Sequence, residues 1–132
     1  MTKLILASKS PRRLQLLNST NIIPDIVDPP NINESIKQKE KPKIYLKRIC
    51  LEKATNIQKR YENDIILAAD TIVSTKQKIF LKPKDEKDAK KTLKYLSGRN
   101  HSVITGVCVL FKDRKKIKII ETKIKFKKLH NN

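Results

Sequence analysis

Short apolar blocks alternate with polar, proline-bearing stretches along this chain, and their spacing changes from block to block. Residues 3–7 carry Leu4-Ile5-Leu6-Ala7, a run of strand length. Over 11–18, Leu14, Leu16 and Leu17 give a helix one apolar side, with Pro11 at its start. Residues 22–27 read as a second strand interrupted by Pro24. Residues 28–43 are polar, contain Pro29, Pro30 and Pro42, and read mostly as loop. From 44 to 61, Leu46, Ile49, Cys50, Ala54 and Ile57 recur at steps of one, three or four and share one helical face. Residues 64–69 hold Ile65-Ile66-Leu67-Ala68-Ala69, the pattern of a strand buried on both faces.

The second half repeats the alternation. Residues 72–81 look extended, with a turn near Lys76-Gln77-Lys78. A helix spans 85–96, with Asp85 as N-cap, Ala89, Leu93 and Leu96 on its inner face, and Gly98 as its stop. Val103, Thr105, Val107, Val109 and Phe111 recur at every second position and mark one face of a strand. Asp113-Arg114 reads as a turn. Residues 115–126 return as the hairpin partner, with Ile117, Ile119, Ile124 and Phe126 alternating with lysines. The order predicts an α/β fold, a mixed twisted sheet with flanking helices.

Composition narrows this picture. A length of 132 residues suits one domain, and 38% hydrophobic with 5% aromatic residues makes its core a lean one. Thr2 and Lys3 lead directly into a four-residue apolar run, too short for a signal h-region or a membrane span. A cytoplasmic protein with no membrane association is therefore expected. Cys50 and Cys108 both have apolar neighbours and form no CxxC pair, so buried thiols are expected. The net charge of +18 admits a polyanionic partner or codon-driven lysine enrichment. Lysines spread along the chain without interleaved aromatics favour the second reading, and nucleic acid is not expected as a partner. Only two glycines are present, Gly98 and Gly106, which excludes GxGxxG and GxxxxGK[ST] phosphate loops.

A phosphate site must then be built without glycine, and "LASKSPRR" at 6–13 offers one. Ser10 suits the N-cap and Pro11 the first helical position. Arg12 and Arg13 oppose the helix dipole there by roughly 0.3–1 kcal/mol each. An anion reverses that balance, because dipole, N–H groups, serine hydroxyls and guanidinium forks all favour it. Two surface arginines in a basic protein are the competing reading. Asp70 follows the apolar run that closes at Ala69, where open α/β sheets keep reactive groups at strand ends. It suits a general base, a metal ligand, or a carboxylate capping the turn at Thr71. Lys82 is biased to extended backbone by Pro83, and a solvated surface lysine is its plainer reading. Glu34 and Lys53 carry no local signal. His101 reads as structural, and no Cys/His metal spacing or Ser–His–Asp arrangement is present.

In this order, "LASKSPRR" at 6–13, Glu34 in "NINES", "EKA" at 52–54, "AADT" at 68–71, "KP" at 82–83 and "LSGRNHSVITGV" at 96–107 resemble the Maf family of nucleotide pyrophosphatases. The resemblance extends along most of the chain and is closest to the branch that prefers dTTP and UTP. It implies an inosine-triphosphatase-like fold with a cleft. It also implies hydrolysis of canonical or modified nucleoside triphosphates to monophosphate and pyrophosphate, with a divalent metal, Mg²⁺ or Mn²⁺, and a homodimer. By position, Ser8, Arg12 and Arg13 would contact the triphosphate, and Lys53 and Lys82 would neutralise its charge. Asp70 would be the general base, Glu34 and Asp70 would serve the metal, and Arg12 and Thr71 would bear on base choice.

Three departures stand against that pattern. Leu81 replaces a glycine before Lys82-Pro83, where a side chain crowds the cleft. Asn31 and Asn33 stand where acidic residues are common. The sequence closes at "ETKIKFKKLHNN", without the strand–helix portion bearing a Lys-Ala-Gly segment and a Gln that the family adds. The expectation is a single Maf-like domain over 1–132, incomplete at its C-terminus. The alternative functions are an inactive fragment and a basic nucleic-acid-binding protein.

Overall fold

The computed structural model describes residues 1–75, 78–81 and 85–125. Strand β1 is Leu4–Ala7, helix α1 Pro11–Ser19, strand β2 Ile26–Val27, helix α2 Pro42–Gln58 and strand β3 Ile65–Ser74. Strand β4 is Ile79–Phe80, helix α3 Glu86–Leu96, and strands β5, Asn100–Phe111, and β6, Arg114–Lys125, form a long hairpin. The described strands make one mixed sheet in the order β2-β1-β3-β5-β6, with β4 paired to the far end of β3. β1 lies parallel to β2 and β3, while β4, β5 and β6 add antiparallel pairings. The expected α/β architecture is present.

The chain leaves β1 for β2 on one side and returns past β1 to β3 on the other. Right-handed crossovers in opposite directions would direct α1 and α2 toward opposite faces of the sheet. The main core lies under α2. Tyr45, Leu46, Ile49, Cys50, Ala54 and Ile57 of the helix meet Ile5, Ala7, Ile66, Ala68, Ile72, Ile104, Cys108 and Leu110 of the sheet. The periodic face of α2 is thus the buried face, with Tyr45 added. Gly106 is what lets the helix close onto β5. A Cβ there would stand 2.9 Å from the Leu46 side chain and 3.0 Å from both Cys50 Sγ and Ile119. Both cysteines are buried free thiols, as expected.

Caps follow the sequence. Ser10 Oγ accepts the Arg13 N–H at 3.3 Å and Asp85 accepts the Asp88 N–H at 2.7 Å. Gly98 takes the left-handed φ of 71° just beyond the end of α3.

Several elements differ from expectation. The strand over 22–27 shrinks to Ile26–Val27. Ile22 instead donates its N–H to Leu17 at the end of α1, Asn21 turns through φ 64°, and Ile23 is exposed. The strand expected over 64–69 runs on to Ser74, because β5 pairs with it continuously from Ile65 to Ser74. Asp70 is therefore inside a strand, not at its end. No residue of α1 is buried, and on α3 only Leu96 is; Leu93 is exposed. On β5 the alternating set from Val103 to Phe111 lies on the half-buried face, while Ile104, Gly106, Cys108 and Leu110 face α2. Both faces of β5 are apolar, so alternation alone could not choose between them. The hairpin turn is at Lys112-Asp113, with Lys112 at φ 54°. The turn at Lys76-Gln77, the Lys82-Pro83 pair and Phe126 lie outside the described residues.

Candidate active site

β1 pairs with β3 only as far as Ala7 opposite Ala68, and β4 takes over that side of β3 at Val73 and Ser74. Between them, residues 69–72 of β3 have no strand neighbour on that side among the described residues. A cleft of about 390 Å³ opens in this interval. It lies beside the carboxyl end of β1, where the chain departs in opposite directions, the usual ligand position in open α/β sheets. The loop after β1 supplies Ser8, Lys9 and Ser10, and the first turn of α1 supplies Arg13. The β2–α2 connection supplies Pro30 and Glu34, α2 supplies Tyr45 and Lys53, β3 supplies Asp70 and Thr71, and Leu81 closes one wall.

Lys53 ties three of these segments together. Its Nζ lies 3.2 Å from Glu34 Oε1 and 3.3 Å from Asp70 Oδ2, with only 14% of the side chain exposed. The other Asp70 oxygen accepts the Thr71 N–H at 2.9 Å. Thr71 turns its hydroxyl to Thr105, 3.1 Å away across the strand pair. Among the described residues neither Lys9 nor Arg13 has an ion-pair partner, and both line the cleft together with Ser8 and Ser10. Ser8 Oγ accepts the Ser10 N–H at 3.0 Å, which holds the β1–α1 loop tight without glycine.

The long segment bearing Glu34 is held by side chains of α2. The Tyr45 hydroxyl donates to the Glu34 carbonyl at 2.6 Å. Arg48 donates to both carboxylate oxygens of Glu40, at 2.7 and 2.8 Å, and to the Ser35 carbonyl at 2.8 Å. Asn56 Oδ1 accepts the Asn31 N–H at 3.0 Å. The Arg48 fork, with the Lys37 N–H, holds the Glu40 carboxyl down at about 2. Burial, then the charges of Asp70 and Glu34, push the Tyr45 phenol up to about 12, so it remains a donor. Burial likewise pushes the Cys50 thiol up to about 12, which leaves it unreactive beside Asp70.

Of the residues singled out from sequence, Ser8, Arg13, Glu34, Lys53, Asp70 and Thr71 share this cleft. Arg12 is exposed on α1 and does not line it, and Lys82 lies outside the described residues. His101 is buried on β5 away from the cleft. Sequence reasoning missed Lys9 and Tyr45. Tyr45 carried one usable signal, since it adjoins Leu46 and precedes Ile49 by four residues on the apolar face of α2.

No group of three His, Cys, Asp or Glu side chains converges to hold a metal among the described residues. Two carboxylates, Glu34 and Asp70, do converge on one point, the Lys53 ammonium. That donor set fits a magnesium-like ion, which takes one or two carboxylates and completes its shell with phosphate and water oxygens.

Residues 3–132 match the family described as Maf-like protein. The chain is 45% identical over 127 residues to a dTTP/UTP pyrophosphatase of Caulobacter vibrioides, covering 96% of this chain and 66% of that protein. It is 46% identical to one of Thermosipho africanus, with 96% and 64% covered, and 44% identical to one of Pyrococcus furiosus, with 100% and 68% covered. It thus spans about two thirds of the length of the curated relatives it matches. Among solved structures, a HAM1 protein from Coxiella burnetii superposes with a TM-score of 0.64 at 16% identity, over 95% of this chain and 73% of that one, a likeness of fold. The family match over nearly the whole chain establishes that this protein belongs to the Maf family.

Proposed function

We propose that this protein is a nucleoside triphosphate pyrophosphatase acting on dTTP, UTP or a modified nucleotide of that type. The observation that carries the reading is the division of charge in the cleft. Arg13 and Lys9, without an ion-pair partner among the described residues, line it together with Ser8 and Ser10, while Asp70 and Glu34 face Lys53 in the same cleft. A triphosphate matches the cationic group, and a carboxylate beside its α-phosphorus can take a proton from water. The dTTP/UTP pyrophosphatases of Caulobacter vibrioides and Thermosipho africanus, at 45% and 46% identity, support the substrate class.

In this reading Ser8 and Arg13 bind the phosphates, with Arg12 and Lys82 as further contacts. Water oxygen bonds to the α-phosphorus as the α–β bridging P–O bond breaks, giving the monophosphate and pyrophosphate. Asp70 takes the water proton on its carboxylate, which the Thr71 N–H holds in place. Glu34 and Asp70 would hold a divalent ion, which supplies charge neutralisation on the phosphate oxygens. Lys53 stabilises the charge of the departing pyrophosphate, and Thr71, beside the cleft, bears on base choice. Leu81 narrows the wall where the base or sugar must pass.

The test is pyrophosphate release by the purified protein from dTTP or UTP with Mg²⁺ or Mn²⁺. Asp70→Asn is expected to lower kcat by roughly 10²-fold or more, the range for loss of a positioned base. No release above blank at high protein concentration overturns the proposal.

A further inference from the structure

Lys53 occupies the point where the two cleft carboxylates meet. Its ammonium is within 3.3 Å of an oxygen of each, and its side chain is more enclosed than either partner, at 14% exposure against 45% for Glu34 and 24% for Asp70. The backbone beneath it cannot yield, because Ile49, Cys50, Ala54 and Ile57 of the same helix are fully buried. Only the flexible four-carbon stem can move. A divalent ion sits about 2 Å from its carboxylate oxygens, and an ammonium hydrogen-bonded to the same oxygens stands in its way. The ammonium and the divalent ion would also repel each other in this partly enclosed site, which weakens the pull of the two carboxylates on the ion.

We propose that Lys53 is a resident cation that closes the metal position of the nucleotide-free protein, so that the divalent ion enters only with a phosphate group that draws the ammonium away. Binding is then ordered. The free protein keeps its carboxylates paired and takes up metal poorly. The metal–triphosphate complex brings an anion that Lys53 prefers, and it vacates Glu34 and Asp70 in the same event. Arg13 and Lys9, which have no ion-pair partner among the described residues, receive the phosphates without any such exchange. The inference rests on the metal-assisted pyrophosphatase reading, but it is tested without turnover.

The experiment is titration of nucleotide-free protein with Mn²⁺ alone, following the free-ion signal by electron paramagnetic resonance. Lys53→Met is expected to tighten Mn²⁺ binding by roughly tenfold or more over the unmodified protein. Glu34→Gln in the Lys53→Met background is expected to remove that gain. Lys53→Arg, which keeps the charge, is expected to bind Mn²⁺ as poorly as the unmodified protein. Lys53→Gln replaces Lys53→Met if thermal unfolding of the latter is not cooperative. Mn²⁺ affinity in the uncharged variants equal to or below that of the unmodified protein overturns the inference. That result would leave pyrophosphate release by the unmodified protein untouched, so the two readings fail separately.

Discussion

Asp70 illustrates how a residue's role depends on contacts its neighbours in sequence do not specify. Its position after an apolar run suggested a carboxylate at a strand end, and its bond to the Thr71 N–H is the local contact expected of a capping aspartate. Its bond to Lys53 is not local, and that bond joins it to Glu34. Glu34 in turn depends on the Arg48–Glu40 clamp, where a side chain 18% exposed meets one 6% exposed. The Glu40 carboxyl titrates near 2 against an ordinary 4.5, because Arg48 favours its charged form. A depressed carboxyl contributes stability that is complete above 4.5 and lost as pH falls toward 2. Glu40→Gln is therefore expected to lower stability by about 1–3 kcal/mol at neutral pH. It should also flatten the acid limb of a plot of melting temperature against pH. An unchanged acid limb would mean that the clamp does not hold the loop.

The elements differ in how far their own residues specify them. Helix α2 does so for its buried face, whose residues repeat at helical spacing, but not for its limits: it opens at Pro42, inside the stretch that reads as loop, and closes at Gln58, short of 61. Helices α1 and α3 begin and end within a residue of expectation, yet α1 buries no residue and α3 only Leu96, because local periodicity predicts a helix and not what packs on it. Strand β3 extends past the apolar run that marks it in the sequence, to Ser74. Its second half, Asp70 to Ser74, is polar at Asp70, Thr71 and Ser74 and is held in the sheet by β5 pairing. Gly106 pairs with Asp70 in that register and gives α2 its close approach. Gly106→Ala would place a methyl 2.9 Å from the Leu46 side chain. It is expected to cost about 1–3 kcal/mol through overpacking, read as a lower urea midpoint. It should also weaken the proposed pyrophosphate release, because α2 carries Lys53 toward Asp70. An unchanged midpoint would show that the helix can shift without penalty.

Across the whole molecule, the sheet order β2-β1-β3, with β4 on the far end of β3, opens the cleft between β1 and β4. The net charge of +18 is spread over this frame and acts as self-repulsion in the compact state. Salt that screens beyond about 10 Å at 0.1 M should relieve it. The melting temperature is expected to rise between low salt and several hundred millimolar NaCl. A flat response would mean that the lysines are too dispersed for their repulsion to matter.

The sequence by itself determined what short-range forces decide: the type and order of most elements, the Ser10 and Asp85 caps, the Gly98 stop and the buried face of α2. These depend on hydrogen bonds and side-chain spacing within one or two turns of the chain. Tertiary structure alone decided which face of β5 is covered, that Asp70 lies within a strand, and that residues 34, 53 and 70 meet at one ammonium. Those outcomes depend on strand register and on how closely a helix packs over a glycine. Both are set by contacts between distant parts of the chain, which no local pattern encodes.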